Sequence, residues 1–315
     1  MNRALPAGKH RQERSFFSRL KEQKQLMLMS VPMLLYVLLF NYAPMWGWIT
    51  AFMKYNPKNK HLFDNKWVGL DNFKWLFNRT EWLGVLRNTL AMSVINLVFG
   101  TLAAVLLAVL LNEVINKSFK RTVQTVTYLP HFLSLVIVVS MAQNIFSSDG
   151  AVNQLLLTLG IIREPVFWLG EGKYFWWLVG FINVWKEMGW NSIIYISTMT
   201  SIDPSLYEAA AIDGAGRLQK ILHVTLPGIK STFVVLLIMN IGHLMEAGFE
   251  IQYLMGQNLV VDWSQTIDVF VMKYGISKQQ YSVAVAAGMF KSVVSILLLF
   301  LANFIARKLD EDTLI

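Results

Sequence analysis

The sequence predicts an all-α integral membrane protein with about six transmembrane helices. Of its 315 residues, 55% are hydrophobic and 15% are charged, and the mean hydropathy is +0.44. Soluble domains usually have about 45–50% apolar and about 25% charged residues. The apolar residues are concentrated in long runs, and a helix needs about 20 of them to cross a hydrocarbon core about 30 Å thick. Composition and run length therefore favour a bundle of membrane helices over a soluble fold.

Six apolar segments are long enough to cross the membrane. They lie at residues 26–52, 88–112, 124–146, 174–200, 231–253 and 283–305. Pro32 and Pro44 predict a kink in the first span. Lys186 and Glu187 make the fourth span less apolar than the others. The transmembrane domain is thus predicted at residues 26–305, with a short tail at residues 306–315.

The N-terminal segment is predicted to be a basic cytoplasmic tail. Residues 1–25 contain seven Lys and Arg residues and precede a long apolar stretch. That stretch is too long for the apolar region of a cleaved signal peptide and has no clear small-residue cleavage site. It is therefore expected to be the first membrane span.

The distribution of basic residues predicts the orientation. Short cytoplasmic connections of membrane proteins are enriched in Lys and Arg. The basic residues of the 2–3 connection, the 4–5 connection and the C-terminus are Lys117, Lys120, Arg121, Arg217, Lys220, Lys230, Arg307 and Lys308. Both termini are therefore expected in the cytoplasm. Residues 54–87 are an exception, because they contain seven Lys and Arg residues yet must lie outside.

The net charge of +8 does not indicate nucleic-acid binding. A nucleic-acid surface places basic residues among exposed aromatic ones, whereas most aromatic residues here lie within or beside apolar runs. The chain contains no cysteine, which excludes disulfides and cysteine metal sites. We expect membrane lipid around the chain and no nucleic-acid partner.

The connection between the fourth and fifth spans, residues 201–228, is predicted to form two short helices. Asp203 followed by Pro204 is a favourable helix start, with a capping side chain and then proline in the first turn. Residues 208–212 continue the helix with strong helix formers. Gly214 and Gly216 break it.

The second helix of this connection is predicted from Arg217 to Leu226. Its apolar residues recur at three- and four-residue spacings, and Pro227 is expected to end it before the fifth span. Alanines on the first helix let the surface of another protein approach the backbone closely.

This connection resembles the EAA loop of binding-protein-dependent ABC importer permeases. The matching pattern is Glu208-Ala209-Ala210, three residues, Gly214, nine residues, then Val224-x-Leu226-Pro227. Val224 stands where the family more often has isoleucine.

Four further segments are similar to the sugar-importing branch of this family. More narrowly, they resemble permeases for oligosaccharides and polysaccharide fragments, the aldouronate or LplB-like group. The segments are Val68-Gly69-Leu70-Asp71-Asn72-Phe73, Tyr128-Leu129-Pro130-His131, Trp185-Lys186-Glu187-Met188-Gly189-Trp190 and Tyr281-Ser282-Val283-Ala284.

The resemblance implies a type I ABC importer permease fold in a bacterial plasma or inner membrane, with cytoplasmic coupling helices. It also implies the partners: a second permease subunit, two ATPase subunits, an extracytoplasmic solute-binding protein and an oligosaccharide substrate. In the family, the EAA loop docks in a groove of the ATPase. The expected coupling residues are Tyr207, Glu208, Ala209, Ala210, Asp213, Gly214, Ala215, Leu226 and Pro227.

The chain itself is expected to bind no cofactor and to catalyse no reaction. The phosphate-binding pattern G-x-x-x-x-G-K-[ST] does not occur in the sequence. ATP and Mg²⁺ are therefore expected on the partner ATPase, and the 4–5 connection is the best candidate to receive its force.

Ionisable and amide side chains within the spans are candidates for the substrate pathway, because burying a charge in a membrane is costly. Lys186 and Glu187 are adjacent, about 100° apart on a helix, so they are not expected simply to neutralise each other. They contact either substrate or the partner permease. Asn144 and Asn183 are weaker candidates.

A polar stripe is predicted on the fifth span, from Asn240 through His243, Glu246 and Glu250, at spacings of three and four. It either lines a hydrated pathway, where its carboxylates accept hydrogen bonds from sugar hydroxyls, or seals a helix–helix interface. A metal site is not expected, because His243 and Glu246 have no third ligand.

Three alternatives to an oligosaccharide importer permease can be compared on the sequence alone. The same importer role is compatible with a non-carbohydrate solute, because the EAA loop identifies the ATPase contact and not the cargo. An intramembrane protease would need HExxH, or a GxS serine and a histidine on two spans, and the predicted spans carry neither. A scaffold protein would not need an EAA loop.

Overall fold

The computed structural model describes residues 24–256 and 258–314. All but the last two residues of the basic segment predicted at residues 1–25 lie outside the described residues. The chain divides between Ile49 and Thr50 into two compact units.

The first span is a single helical run whose geometry changes along its length. Helix α1, Lys24–Val37, is followed by a π-helical turn at Leu38–Tyr42 and a 3₁₀ segment at Ala43–Phe52. Pro44, which has no backbone N–H, lies where the π geometry gives way to 3₁₀. The whole run, Lys24–Phe52, is long and apolar enough to cross a membrane, which confirms the predicted span.

A small hairpin and a short helix follow. Strand β1, Met53–Lys54, pairs antiparallel with β2, Lys66–Trp67, so that Lys54 lies opposite Lys66. A 3₁₀ turn at Leu62–Asp64 lies between the strands, and helix α2 spans Asp71–Phe77. The Asn72 side chain donates hydrogen bonds to the carbonyls of Ala51 and Met53, at 2.7 and 3.0 Å.

The middle of the chain contains two long helices and the segments between them. In order, the elements are α3 at Thr80–Glu113, α4 at Lys117–Tyr128, a 3₁₀ turn at Leu129–Phe132, α5 at Leu135–Ile145, α6 at Ala151–Thr158 and α7 at Gly172–Thr200. Helix α4 carries the basic residues that were expected in a loop, and it is capped by the Asn116 side chain, which accepts from the Phe119 N–H.

The C-terminal part begins with the 4–5 connection and ends with the last span. Helix α8 spans Pro204–Ile212, and α9 spans Arg217–Lys220 and continues through a π turn, Ile221–Thr225, to Leu226–Gly228. The later elements are α10 at Lys230–Gly242, α11 at Glu250–Met255, a 3₁₀ turn at Asn258–Val260, α12 at Val261–Ser264, α13 at Ile267–Met272, a π turn at Lys273–Ser277 and α14 at Tyr281–Lys308.

The structure confirms the helical class but changes two of the predicted spans. Within the described residues, three helical runs satisfy the length and hydropathy of a membrane span, or five if two bent pairs each count as one. The predicted span 124–146 is one bent pair, with a 104° turn between Phe132 and Leu135. The predicted span 231–253 ends as a helix at Gly242, and α9 and α10 meet at 58°.

Helix α7 has the length of a span but is less apolar, in line with its internal charged and amide residues. It packs along α3, and together they form the centre of the second unit. One apolar cluster joins them to α5 and α11 and includes Met92, Val138 and Val179. A second cluster joins α3 to α2, α13 and α14 around Trp82 and Phe270.

Candidate functional site

The first helix of the 4–5 connection starts as the sequence predicts. The Asp203 carboxylate accepts a hydrogen bond of 2.9 Å from the Ser205 backbone N–H, and Pro204 occupies the first helical position. This backbone hydrogen bond lowers the pKa of the Asp203 carboxyl below its ordinary value. The ionised carboxylate therefore caps the positive end of the helix dipole.

The turn after α8 depends on Gly214. Its φ is +78°, in the left-handed region that glycine adopts without strain. The Gly214 N–H donates to the Ala211 carbonyl at 3.1 Å, and the Ala215 N–H donates to Ala210 at 2.8 Å. These two bonds form a Schellman motif, which satisfies the last carbonyls of α8 and fixes the direction in which α9 begins.

The outer surface of this helix pair is unusually apolar for an exposed connection. Ile212 is 87% exposed and Leu218 is 68% exposed. Of the predicted coupling residues, the exposed ones are Glu208, Ala209, Asp213, Gly214 and Pro227, and the half-buried ones are Tyr207, Ala210, Ala215 and Leu226. Exposed apolar side chains such as these are a common feature of protein interaction surfaces.

The inner surface of the helix pair is fixed to the two central helices. The hydroxyls of Tyr207 and Thr225 are 3.0 Å apart, which joins α8 to the helix that follows it. Ile202, Ile221 and Leu226 pack against a buried cluster that contains residues of both α3 and α7. The members of that cluster are Ala104, Ala108, Val109, Tyr195, Met199 and Ile229. The helix pair is therefore in direct packing contact with α3 and α7.

Further along α3 and α7, polar side chains surround two adjoining cavities. The cavities have volumes of about 250 and 280 Å³ and share Asn96, Gly100, Asn191 and Glu246 in their walls. The other polar lining residues are Ser93, Thr101, Asn183, Glu187, Tyr195, Asn240 and His243. Amide and carboxylate groups are the groups that hydrogen-bond the hydroxyls of a polar solute.

The structure brings five of the predicted pathway residues to these cavities: Asn183, Glu187, Asn240, His243 and Glu246. The other three are not among the lining residues. Asn144 is exposed and donates to the Ser140 carbonyl at 3.0 Å. Glu250 is exposed at the start of α11, and Lys186 is buried.

Lys186 and Glu187 contact each other although their helical positions are about 100° apart. The Lys186 ammonium donates to the Glu187 carboxylate at 2.9 Å and to the His131 carbonyl at 2.8 Å. The His131 Nδ1 lies 2.7 Å from the second carboxylate oxygen, and its ring stacks on Trp190 at 4.4 Å. The long lysine side chain covers the angle between the two positions, and the break after α4 brings His131 within reach.

The polar stripe predicted on one continuous helix was wrong in its geometry. Helix α10 ends at Gly242, and the His243 Nδ1 donates back to the Met239 carbonyl at 2.8 Å. Gly248, with φ +95°, lies in the irregular segment before α11. His243 and Glu246 still reach the cavity because this segment leaves the helix beside it, whereas Glu250 does not.

Sequence reasoning missed one neighbouring lysine and five polar lining residues: Ser93, Asn96, Thr101, Asn191 and Tyr195. Ser93, Asn96 and Asn191 are polar residues within apolar spans, and that pattern was a usable signal. Lys291 lies on α14, with its ammonium 2.6 Å from Asp268 and 3.7 Å from Glu246. No sequence spacing connects Lys291 to Glu246, so only the folded chain reveals this contact.

Comparison with known proteins agrees with these features. Residues 96–311 match the family model of the binding-protein-dependent transport system inner membrane component. The chain is 41% identical to Protein LplB of Bacillus subtilis (strain 168), over 95% of this chain and 94% of that protein. It is 42% identical to the polygalacturonan/rhamnogalacturonan transport system permease protein YteP of the same organism, over 93% and 91%.

The fold is also that of a solved transporter. A bacterial alginate ABC transporter, in complex with an alginate pentasaccharide-bound periplasmic protein, contains a chain with a TM-score of 0.85 and 35% identity, covering 93% of this chain and 98% of that one. The resemblance inferred from the EAA loop is thus confirmed at the level of family and fold. The chain belongs to the binding-protein-dependent transport system inner membrane components, the permease subunits of ABC importers.

Proposed function

We propose that this permease moves oligosaccharides or polysaccharide fragments through the cavity between α3 and α7, driven by an ATPase that docks on residues 204–228. The observation that carries the proposal is that α7 takes part in both sites. Its middle lines the cavity with Asn183, Glu187 and Asn191, and its end packs against the helix pair. From Asn191 to Thr200 the helix rises only about 14 Å.

The chemistry of the cavity suits a solute rich in hydroxyl groups. Four asparagines offer both donors and acceptors, and Glu187 and Glu246 are acceptors when ionised. The transport system of the relative YteP is named for polygalacturonan and rhamnogalacturonan, and the solved relative imports alginate. These names support a carbohydrate cargo for this chain.

The remaining parts of the machine follow from the family. A second permease completes the pathway, two ATPase subunits bind ATP and Mg²⁺, and an extracytoplasmic binding protein delivers the cargo. Both termini lie in the cytoplasm, and this chain performs no covalent chemistry. Closure of the two ATPases rocks the two permeases between outward- and inward-open states.

Uptake into proteoliposomes tests the cavity. The assembled importer is reconstituted with its binding protein, and uptake of labelled oligosaccharides is compared for wild type, Asn191→Leu and the matched control Asn144→Leu. Asn191→Leu replaces a cavity amide by an apolar side chain of similar size, so we expect uptake to fall about tenfold or more while the basal ATPase activity persists. Asn144→Leu changes an exposed amide away from the cavity and should transport normally.

Two results contradict the proposal. Equal uptake by the two variants excludes this cavity as the pathway. Uptake of a non-carbohydrate solute, with no oligosaccharide in a broad panel transported, leaves the importer role in place and refutes the carbohydrate cargo.

A further inference from the structure

The hairpin that follows the first span carries a cluster of exposed lysines that transport does not explain. Lys54, Lys58, Lys60 and Lys66 are all exposed, and Asp64 is the only acidic residue between Lys54 and Lys66. Within residues 24–256 and 258–314, none of these four ammonium groups forms a salt bridge. We call these four lysines the hairpin lysines.

Two of the hairpin lysines face each other directly. Lys54 and Lys66 are register partners in the β1–β2 ladder, so their side chains leave the same face of the hairpin. Directly opposed like charges destabilise a strand pair. An anion that binds both ammonium groups removes this repulsion.

The hairpin is held in a defined conformation before any partner binds. The Asn65 carboxamide oxygen accepts from the Asn56 backbone N–H at 2.7 Å and from the Asn59 side chain at 2.8 Å. The Asn65 amide in turn donates to the Leu62 carbonyl at 2.8 Å. Asn65 is buried, so this network fixes the turn that carries Lys58 and Lys60.

The hairpin contacts the start of α14, whose length fits a bilayer with its headgroup regions. The Tyr55 backbone N–H donates to the Ser282 hydroxyl at 3.0 Å, and the rings of Tyr55 and Tyr281 meet edge to face. Tyr281 and Ser282 open α14, whose 28 residues span about 42 Å. That length matches a bilayer with its headgroup regions, about 40–45 Å. The first residues of α14 therefore lie at one membrane surface, opposite the end that carries Lys308.

The face of the hairpin that carries Trp67 packs partly against other aromatic side chains. Trp67 stacks on Phe52 with ring centroids 5.8 Å apart, and Phe73 lies 5.5 Å from Phe52. Met53, opposite Trp67, is buried. Trp67 nevertheless keeps 57% of its surface exposed, next to Lys66 in the chain. Aromatic rings at headgroup level, with lysines beside them, are typical of a membrane–water interface.

We propose that the hairpin lysines bind the phosphodiester headgroups of anionic phospholipids, with Lys54 and Lys66 holding one phosphate between them. In the orientation expected from the basic connections, this site lies in the outer leaflet. It accounts for a basic segment on the side of the membrane where Lys and Arg are usually depleted.

Native mass spectrometry of the full-length chain in detergent tests this site. Phosphatidylglycerol and phosphatidylcholine are titrated separately onto wild type and onto the double variant Lys54→Gln/Lys66→Gln. Each lysine near an anionic surface changes affinity about fivefold. We therefore expect the double variant to bind phosphatidylglycerol about tenfold more weakly or worse, with phosphatidylcholine unchanged. The matched control is Lys74→Gln/Lys173→Gln, which removes two exposed lysines already paired with Asp71 and Glu171 and should bind as wild type.

Lys54→Glu separates lipid binding from hairpin stability. It places opposite charges across the ladder, so the hairpin should be at least as stable, yet phosphatidylglycerol binding should fall. Unchanged phosphatidylglycerol binding in the double variant overturns the proposal. So does binding of an acidic oligosaccharide, such as trigalacturonate, that depends on Lys54 and Lys66 while phosphatidylglycerol binding does not.

Discussion

Replacing Gly214 by alanine tests whether the turn between α8 and α9 is the rigid element that the structure indicates. An added Cβ would meet no atom within 4 Å, so the substitution introduces no steric overlap. Its whole effect comes from φ +78°, which costs an L-residue about 1–2 kcal/mol. Local opening of the Schellman motif should therefore increase by a factor of about 5–30.

Amide hydrogen exchange measures this opening directly. The Asp213 and Ala215 amides donate to the carbonyls of Ala209 and Ala210, and both should exchange about 5–30 times faster in Gly214→Ala than in wild type. The control is Gly216→Ala, two residues away, where φ is −71° and a Cβ would only meet the Gln219 side chain at 3.7 Å.

Unchanged exchange of these amides in Gly214→Ala would show that the positive φ of Gly214 does not hold the turn. Equal acceleration in Gly216→Ala would show the same.

Three further predictions concern stability, each measured as the apparent free energy of unfolding in detergent. Gly189→Ala should cost about 1–3 kcal/mol by overpacking, because its Cβ would lie 2.0 Å from the Thr127 carbonyl oxygen. The control is Gly288→Ala, whose Cβ would meet no atom within 4 Å. Equal stability of the two variants would contradict the packing of α4 on α7. Burial, followed by the hydrogen bond to a carboxylate, raises the pKa of Tyr274 from 10.0 to about 12. Since the raised pKa favours the neutral phenol, the contribution of Tyr274 to the free energy of unfolding is complete below pH 10 and disappears as the pH rises through 12. Tyr274→Phe should lose this pH dependence. If the free energy of unfolding of Tyr274→Phe changes with pH as in wild type, Tyr274 is not the group responsible. Lys186→Met should cost about 1–3 kcal/mol. Breaking a fully buried ion pair costs about 3–5 kcal/mol, but the Glu187 carboxylate is about one-third exposed. An unchanged free energy of unfolding would show that the ion pair does not stabilise α7.

Local signals in the sequence predict the helix pair of the 4–5 connection well. The capping side chain of Asp203, the proline after it and the conformational freedom of Gly214 act within a few residues, so their effects appear in the sequence without knowledge of the fold. Pro227 is the exception, because the helix continues through it to Gly228. The π turn at Ile221–Thr225 accommodates a residue that cannot donate a backbone hydrogen bond.

The bends in the membrane helices were harder to predict. Apolar run length indicated continuous spans at residues 124–146 and 231–253, but hydropathy reports the environment of a segment and not its direction. The turn between Phe132 and Leu135 follows Pro130, and that proline was the available signal. The sequence contains only a weaker signal for the end of α10 at Gly242.

The geometry of the cavity depends on contacts between distant segments, which spacing along the chain does not reveal. Lys186 and His131 are 55 residues apart, and their contact arises only because the break after α4 faces α7. The polar character of Asn183, Asn240 and Glu246 was readable in the sequence. Their position around a shared space was not.

ATP hydrolysis by the assembled importer tests whether residues 204–228 couple this chain to the ATPase. The complex of this chain with its second permease and two ATPase subunits is assayed with and without cargo-loaded binding protein. Wild type is compared with Glu208→Lys and with Glu113→Lys, which makes the same charge change at the end of α3. We expect Glu208→Lys to abolish the stimulation by binding protein, while wild type and Glu113→Lys keep it. Normal stimulation in Glu208→Lys, or a chain that assembles with no ATPase, would contradict the role assigned to residues 204–228.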